Sequence, residues 1–260
     1  MQLAPDVRIP QTVQYSAGVD HQLHKSTTVS LTYTGARGHH LFRSRDINAP
    51  LPPLYLARPD SEFGAIRQVE SAGRQNSDSM SVTLRGRVTR FNGQMQYTLS
   101  RVDNDTNGVA WFPANDYDLS GEWARADFDR RHRVSAVRPD ERRQGDRSRC
   151  RIDAQFRRAV LATLGADVYN NGRGRAWPAG VARNTLEGDG YASLDLRASR
   201  EVKFGTGKEA PSMTFGVDAF NLLNRVNYSS YVGTLSSPLF GQPVSARAPR
   251  QLQFSGRFKF

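Results

Sequence analysis

Apolar and polar residues alternate along much of this chain with a period of two. Met80, Val82, Leu84 and Val88 alternate with Ser81, Thr83, Arg85, Arg87 and Thr89. Met95, Tyr97 and Leu99 do so with Gln94, Gln96, Thr98 and Ser100, and Met213, Phe215, Val217 and Ala219 with Thr214, Gly216 and Asp218. Val13 to Val19, Val29 to Tyr33, Leu194 to Ala198 and Leu252 to Phe260 repeat the pattern. Successive side chains of a strand point to opposite faces, so each segment predicts a strand with one apolar and one polar face. Helical spacing fits them poorly. Nine strands are expected, near 12–23, 26–35, 78–90, 94–103, 132–138, 155–166, 192–204, 212–222 and 250–260. Asn92-Gly93 is a favoured two-residue hairpin turn, because both central positions need positive φ. Pairing Phe91 with Gln94 across it sets Val88 opposite Tyr97, Gly86 opposite Leu99 and Arg87 opposite Thr98, which keeps polar beside polar.

Connection lengths alternate as well. Short links are expected at His24-Lys25, Asn92-Gly93 and Gly205 to Pro211, and long ones over 36–77, 104–131, 167–191 and 223–249. Loops that long without structure argue against a compact soluble domain. Short turns on one side and long loops on the other are expected of an outer-membrane barrel. The fold expected is therefore all-β: an antiparallel transmembrane β-barrel portion of about nine or ten strands, open and curled where too few strands are present to close it. An alternative is a soluble or cell-surface β-sandwich acting as a binding module.

Several segments resemble the barrel of Oar-like TonB-dependent receptors. They are Tyr33 to Pro50, Tyr117 to Leu119, Asp127 to His132, Arg183-Asn184, Tyr191 to Arg197, and Ala219 to Tyr228, then Ser245 to Arg247, Pro249 to Gln251 and the terminal Phe260. The resemblance implies an outer-membrane active transporter whose barrel of about 22 strands encloses a plug that contacts TonB. No segment here reads as a plug or a TonB-contacting box. Met1 to Pro10 lack a basic start followed by an apolar run, so no secretory signal is expected in residues 1–260. The whole chain is thus expected to be the C-terminal part of a barrel domain, located in the outer membrane and not transport-competent alone. Its implied partners are outer-membrane lipid, the barrel-assembly machinery and, through the missing plug, TonB. Leu252, Phe254, Phe258 and Phe260 match the last-strand signal that the assembly machinery recognises, with Gly256 interrupting the row. Asp127 to His132 is expected to return an outer loop to the barrel, with Asp129 and Arg130 in local polar contacts.

Charge changes the picture at one place. The 260 residues carry 36 Lys+Arg and 25 Asp+Glu, a net +11. Much of the excess falls in the anomalous basic segment 138–155. A lipid-facing Arg at the bilayer midplane costs about 2–4 kcal/mol, so this run is not expected to be an ordinary spanning segment. A shifted reading frame, a decayed fragment or a long solvated turn would each account for it. Aromatics are not interleaved there as a stacking platform requires, so nucleic acid is not expected as a partner.

Chemistry is sparse elsewhere. No 18-residue apolar stretch offers a transmembrane helix. The single Cys150 excludes an internal disulfide framework. His39, His40 and His132 lack the ligand spacing of a zinc site. Gly205 to Lys208 lacks the upstream Gly of a phosphate loop, and Glu209 stands where Ser or Thr is needed. No nucleophile elbow is present. No catalytic residue, metal or cofactor is expected. Polar and aromatic loop residues such as Trp111, Phe112 and Tyr117 are the candidates for contact with substrate.

Overall fold

The structure is a computed structural model that describes residues 1–88, 91–138, 146–178, 181–205 and 210–260. Its strands are β1 (Gln2–Leu3), β2 (Gln11–His24), β3 (Thr27–Asp46), β4 (Arg67–Val88), β5 (Phe91–Asn104), β6 (Ala124–Arg125), β7 (Arg130–Arg138), β8 (Asp146–Val160), β9 (Leu186–Gly188), β10 (Tyr191–Lys203), β11 (Ser212–Phe220), β12 (Tyr228–Tyr231), β13 (Pro243–Ala246) and β14 (Gln251–Lys259). Nine long strands form one sheet in the order β14-β11-β10-β8-β7-β5-β4-β3-β2. Neighbouring strands along this path are antiparallel. The short β1, β6 and β9 attach beside it, and β12 and β13 form a separate pair. This single continuous sheet is not the two packed layers of a sandwich. Its ends, β2 and β14, do not pair with each other, and every residue in both is exposed.

Alternation sets the two faces. One cross-strand row runs Val19, Leu31, Val82, Tyr97, Val134 and another Ala198, Val217, Phe254. These belong to an apolar face whose large side chains stay exposed, including Leu31, Val82, Phe215 and Phe254. The opposite face carries Ser81, Thr98 and Arg133 in one row, and Arg197, Asp218 and Gln253 in another. Arg197 pairs with Asp218 at 3.5 Å, and Arg133 and Arg151 reach Asp153 at 3.5 and 3.6 Å. A cavity of about 490 Å³ lined by Arg197, Glu201, Thr214, Ser255 and Lys259 shows that the polar face is concave there.

The structure corrects three expectations. Asn92 and Gly93 lie inside β5, paired with Arg87 and Gly86, and Val88 pairs with Phe91, so Asn92-Gly93 is not the turn. The expected register would set Leu84 opposite Arg101 and Val82 opposite Asp103. The observed one sets Leu84 opposite Met95 and Val82 opposite Tyr97. Matching two apolar bands along fourteen residue pairs outweighs one local turn preference. Because the displacement is even, the faces stay as expected. The turn at β2–β3 likewise sits one residue later, at Lys25-Ser26.

The second correction concerns length. β3 has 20 residues and β4 has 22, whereas a tilted spanning strand needs about 9–11. The connection expected over 36–77 is therefore only 47–66, and about half of each strand projects beyond the apolar band. On the apolar face the band stops at Tyr33, whose hydroxyl donates to Asp78 at 2.6 Å. Above it come the pairs Arg37–Asp78 at 2.9 Å and Arg101–Asp103 at 2.6 Å.

The third correction is the basic run. From Asp146 onward it is β8, hydrogen-bonded to β7 on one side and β10 on the other. Arg149, Arg151 and Asp153 alternate with Cys150, Ile152 and Ala154, and Ile152 shares a row with Ala136 and Leu194. Arg149 and Arg151 thus fall on the polar face and escape the lipid penalty, whereas Arg138, opposite Cys150 at the end of β7, falls on the apolar face. Residues 139–145 lie outside the described part.

Candidate functional site

The long connections meet at one end of the sheet and are organised by buried polar side chains. Asp46, at the top of β3, accepts hydrogen bonds from the backbone N–H groups of Asn48 (3.0 Å) and Ile66 (2.9 Å) and an ion pair from Arg58 (3.3 Å). Its own N–H donates to Asp116 at 2.8 Å, which joins the β3–β4 and β5–β7 connections. Asn48 donates to the carbonyls of Phe63 and Gly64 and accepts from the Asp60 N–H. Asp116 in turn pairs with Arg173 of the β8–β10 connection. Asn171 donates to the Ala114 carbonyl at 3.0 Å.

A second group lies beside it. Glu122 accepts from the Ala114 N–H at 2.7 Å and the Trp177 indole at 3.3 Å. Arg183, fully buried, donates to the Asn104 carbonyl at 2.8 Å and side chain at 2.5 Å. Burial pushes the Glu122 and Asp116 carboxyls above their ordinary range. Burial pulls the Arg183 guanidinium down, opposed by the charges of Glu122, Asp127 and Asp105. Asp129 accepts from the Val102 N–H and pairs with Arg125 at 2.9 Å, and Arg130 donates to the Asp127 carbonyl. This end is an ion-paired layer, which costs less than lone buried charges would.

The last long connection uses asparagines at positive φ. Asn221 (φ 48) and Asn224 (φ 51) turn the chain, and the Asn221 carboxamide bonds both the N–H and the carbonyl of Arg225. Asn227 mimics a strand partner, accepting from the Ala192 N–H and donating to its carbonyl, both at 2.9 Å. Asn224 accepts from the Arg250 N–H at the start of β14. The Ala219 to Tyr228 segment therefore sets where the last strand begins.

The three candidate contact residues sit on the β5–β7 connection in different settings. The Phe112 ring has the Arg67 and Arg173 guanidinium carbons 4.6 and 4.7 Å from its centroid. Tyr117 donates to the Ala49 carbonyl at 2.7 Å, and burial together with Asp116 and Asp46 raises its phenol pKa. Trp111 has Arg175 over its ring at 4.3 Å and lines a cavity of about 450 Å³. Phe112 and Tyr117 are not in that lining. Asn107, Phe128, Thr163, Tyr231 and Thr234 are, and the sequence reading passed over all of them. Phe128 alone had a signal, lying within the family-like Asp127 to His132 segment.

On β14, Leu252, Phe254 and Phe258 stand opposite Ala219, Val217 and Met213 of β11, all on the apolar face. Gly256 breaks the row opposite Phe215, which is 51% exposed, so the neighbouring strand supplies the missing bulk. Phe260 packs against Phe258 with centroids 6.2 Å apart.

An outward apolar band, a concave polar face and a polar layer of long connections define the wall of an outer-membrane β-barrel. The chain belongs to the family described as Outer membrane beta barrel domain, whose profile matches residues 1–137 and 146–253. Among solved structures it is similar to the outer membrane transporter YddB from Escherichia coli, with a TM-score of 0.68 and 14% identity, over 98% of this chain and 33% of that one. The chain thus spans about a third of that transporter's length, and the likeness is one of fold. Comparison with curated proteins finds no match.

Proposed function

We propose that this chain builds part of the wall of a TonB-dependent, Oar-like receptor for active uptake, with further strands closing the wall at both edges. The carrying observation is the pair of edges. β2 and β14 each lack a second strand partner among the described residues. In hydrocarbon an unpaired row of N–H and C=O groups costs several kcal/mol per group, so spanning sheets close on themselves. A wall of about 22 strands would be consistent with an outer-membrane transporter. In this reading the short turns face the periplasm and the long-connection end faces outward, where the Trp111 loop meets substrate. Leu252, Phe254, Phe258 and Phe260 are the surface read by the barrel-assembly machinery, and TonB engages a plug outside this chain.

The test uses the chain together with the remainder of its barrel in outer-membrane vesicles and in cells. The protein is expected in the outer-membrane fraction, with gel mobility that shifts on heating. Uptake is expected to stop when the inner-membrane proton gradient is dissipated. Uptake that persists without the gradient would sink TonB dependence. Recovery of the protein without detergent would sink the membrane reading itself.

A further inference from the structure

The cavity beside Trp111 is built by three connections that are far apart in sequence. Asn107, Trp111 and Phe128 come from the β5–β7 connection, Thr163 from β8–β10, and Tyr231 and Thr234 from β11–β14. A bridge between Thr163 and Thr234 and the bonds Thr163 N–H to Gly233 O (2.8 Å) and Leu235 N–H to Thr163 O (2.8 Å) hold the last two connections together. Two of the three walls are therefore joined by backbone pairing. Its volume of about 450 Å³ lies within the range of about 300–1,000 Å³ usual for small-molecule sites.

Two polar atoms of this wall stand out. The Trp111 indole Nε1 and the Asn107 Oδ1 are both buried and have no hydrogen-bond partner among the described residues. More than nine in ten buried polar groups are partnered, and an unpartnered one costs about 1–3 kcal/mol. One is a donor and the other an acceptor, which suits a ligand carrying hydroxyl groups. The charged lining residues, Asp127 and Arg130, offset each other. The remaining wall combines aromatic rings (Trp111, Phe128, Tyr231) with hydroxyls and amides.

We propose that this cavity binds a neutral sugar, with ring faces packed on the aromatic wall and hydroxyls bonded to Trp111 Nε1 and Asn107 Oδ1. Both atoms lie within the wall, so binding includes a side-chain rotation that brings them to the surface. The biological meaning rests on the uptake reading, but binding is measured on purified protein, so either can fail without the other.

The chain, together with the remainder of its barrel, is placed in micelles of a zwitterionic detergent, which avoids detergents with sugar headgroups, and folding is checked by heat-shifted gel mobility. D-glucose, D-galactose and maltose are titrated by saturation-transfer NMR, with glucuronate and glycylglycine as comparators. Saturable binding of at least one neutral sugar is expected. Trp111→Phe, which keeps a ring but removes the N–H, and Asn107→Leu are each expected to weaken it about tenfold. Trp123→Phe, outside the cavity, is expected to leave it unchanged. Absence of saturable binding by the folded barrel, unchanged affinity in both cavity variants, or preference for glucuronate or glycylglycine would overturn the proposal.

Discussion

At Glu122 and Asp116, burial works against ionisation while neighbouring N–H groups and arginines support it, and burial dominates for both. A carboxyl whose folded pKa is raised holds its proton more tightly in the folded state. Its stabilisation is complete below the ordinary values of 4.5 and 3.8 and is lost as pH rises through the elevated ones. The loop layer is therefore expected to loosen as pH rises above those ordinary values, read as a falling urea midpoint of Trp177 fluorescence. Glu122→Gln keeps an oxygen for the Ala114 and Trp177 donors and is expected to flatten that slope; an unchanged slope would reject the assignment. Two glycines separate strain from collision. A Cβ at Gly86 (φ 127) would lie 1.9 Å from the Ser26 carbonyl oxygen, whereas one at Gly108 (φ 89) meets nothing within 4 Å. Gly108→Ala is expected to cost about 1 kcal/mol, from backbone strain alone. Gly86→Ala is expected to cost more, because Ser26 must also move, and chemical denaturation of the two variants makes the comparison.

Strand faces are the property of the elements that their residues display most openly. β8 is the instructive case: its charge density masked an alternation that pairing on both sides makes plain. Arg149 and Arg151 looked incompatible with lipid only while their parity was unread. The same parity yields a contrast on β11, where Phe215 and Thr214 are adjacent and face opposite ways. Phe215→Arg is expected to destabilise the protein in lipid vesicles by about 2–4 kcal/mol if it lies near the midplane. Thr214→Arg, on the polar face, is expected to change far less. Urea titration in vesicles reads both, and equal costs would refute the assignment of faces. Brominated lipids should also quench a tryptophan placed at Leu196 or Phe254, but not at Gln253.

For the whole molecule, the open sheet is the dominant fact. β2 and β14 offer backbone groups on their outer edges, and such edges associate unless covered. Amide exchange along the outer edge of β2 is expected to be fast in the isolated chain and slow once the rest of the barrel is present. Equal exchange in both would mean that β2 is not a closing edge. Phe260→Ala is expected to lower the amount of barrel reaching the outer membrane, measured by heat-shifted mobility of membrane fractions, if the last-strand surface is what the assembly machinery reads.

The sequence by itself determined eight of the nine long strands, which of their residues share a face, and the alternation of short and long links; β8, expected over 155–166, runs over Asp146–Val160. These are readable because strand parity is local: a residue's face follows from its immediate neighbours. Tertiary structure decided what depends on distant partners. The β4–β5 register differs from the one Asn92-Gly93 suggests because fourteen cross-strand pairs outweighed that local preference. The pairing of Asp116 with Arg173, and the meeting of Trp111 with Tyr231, join residues from separate connections. Such contacts carry no periodic signature, since they are created only when neighbouring strands bring the ends of their connections together.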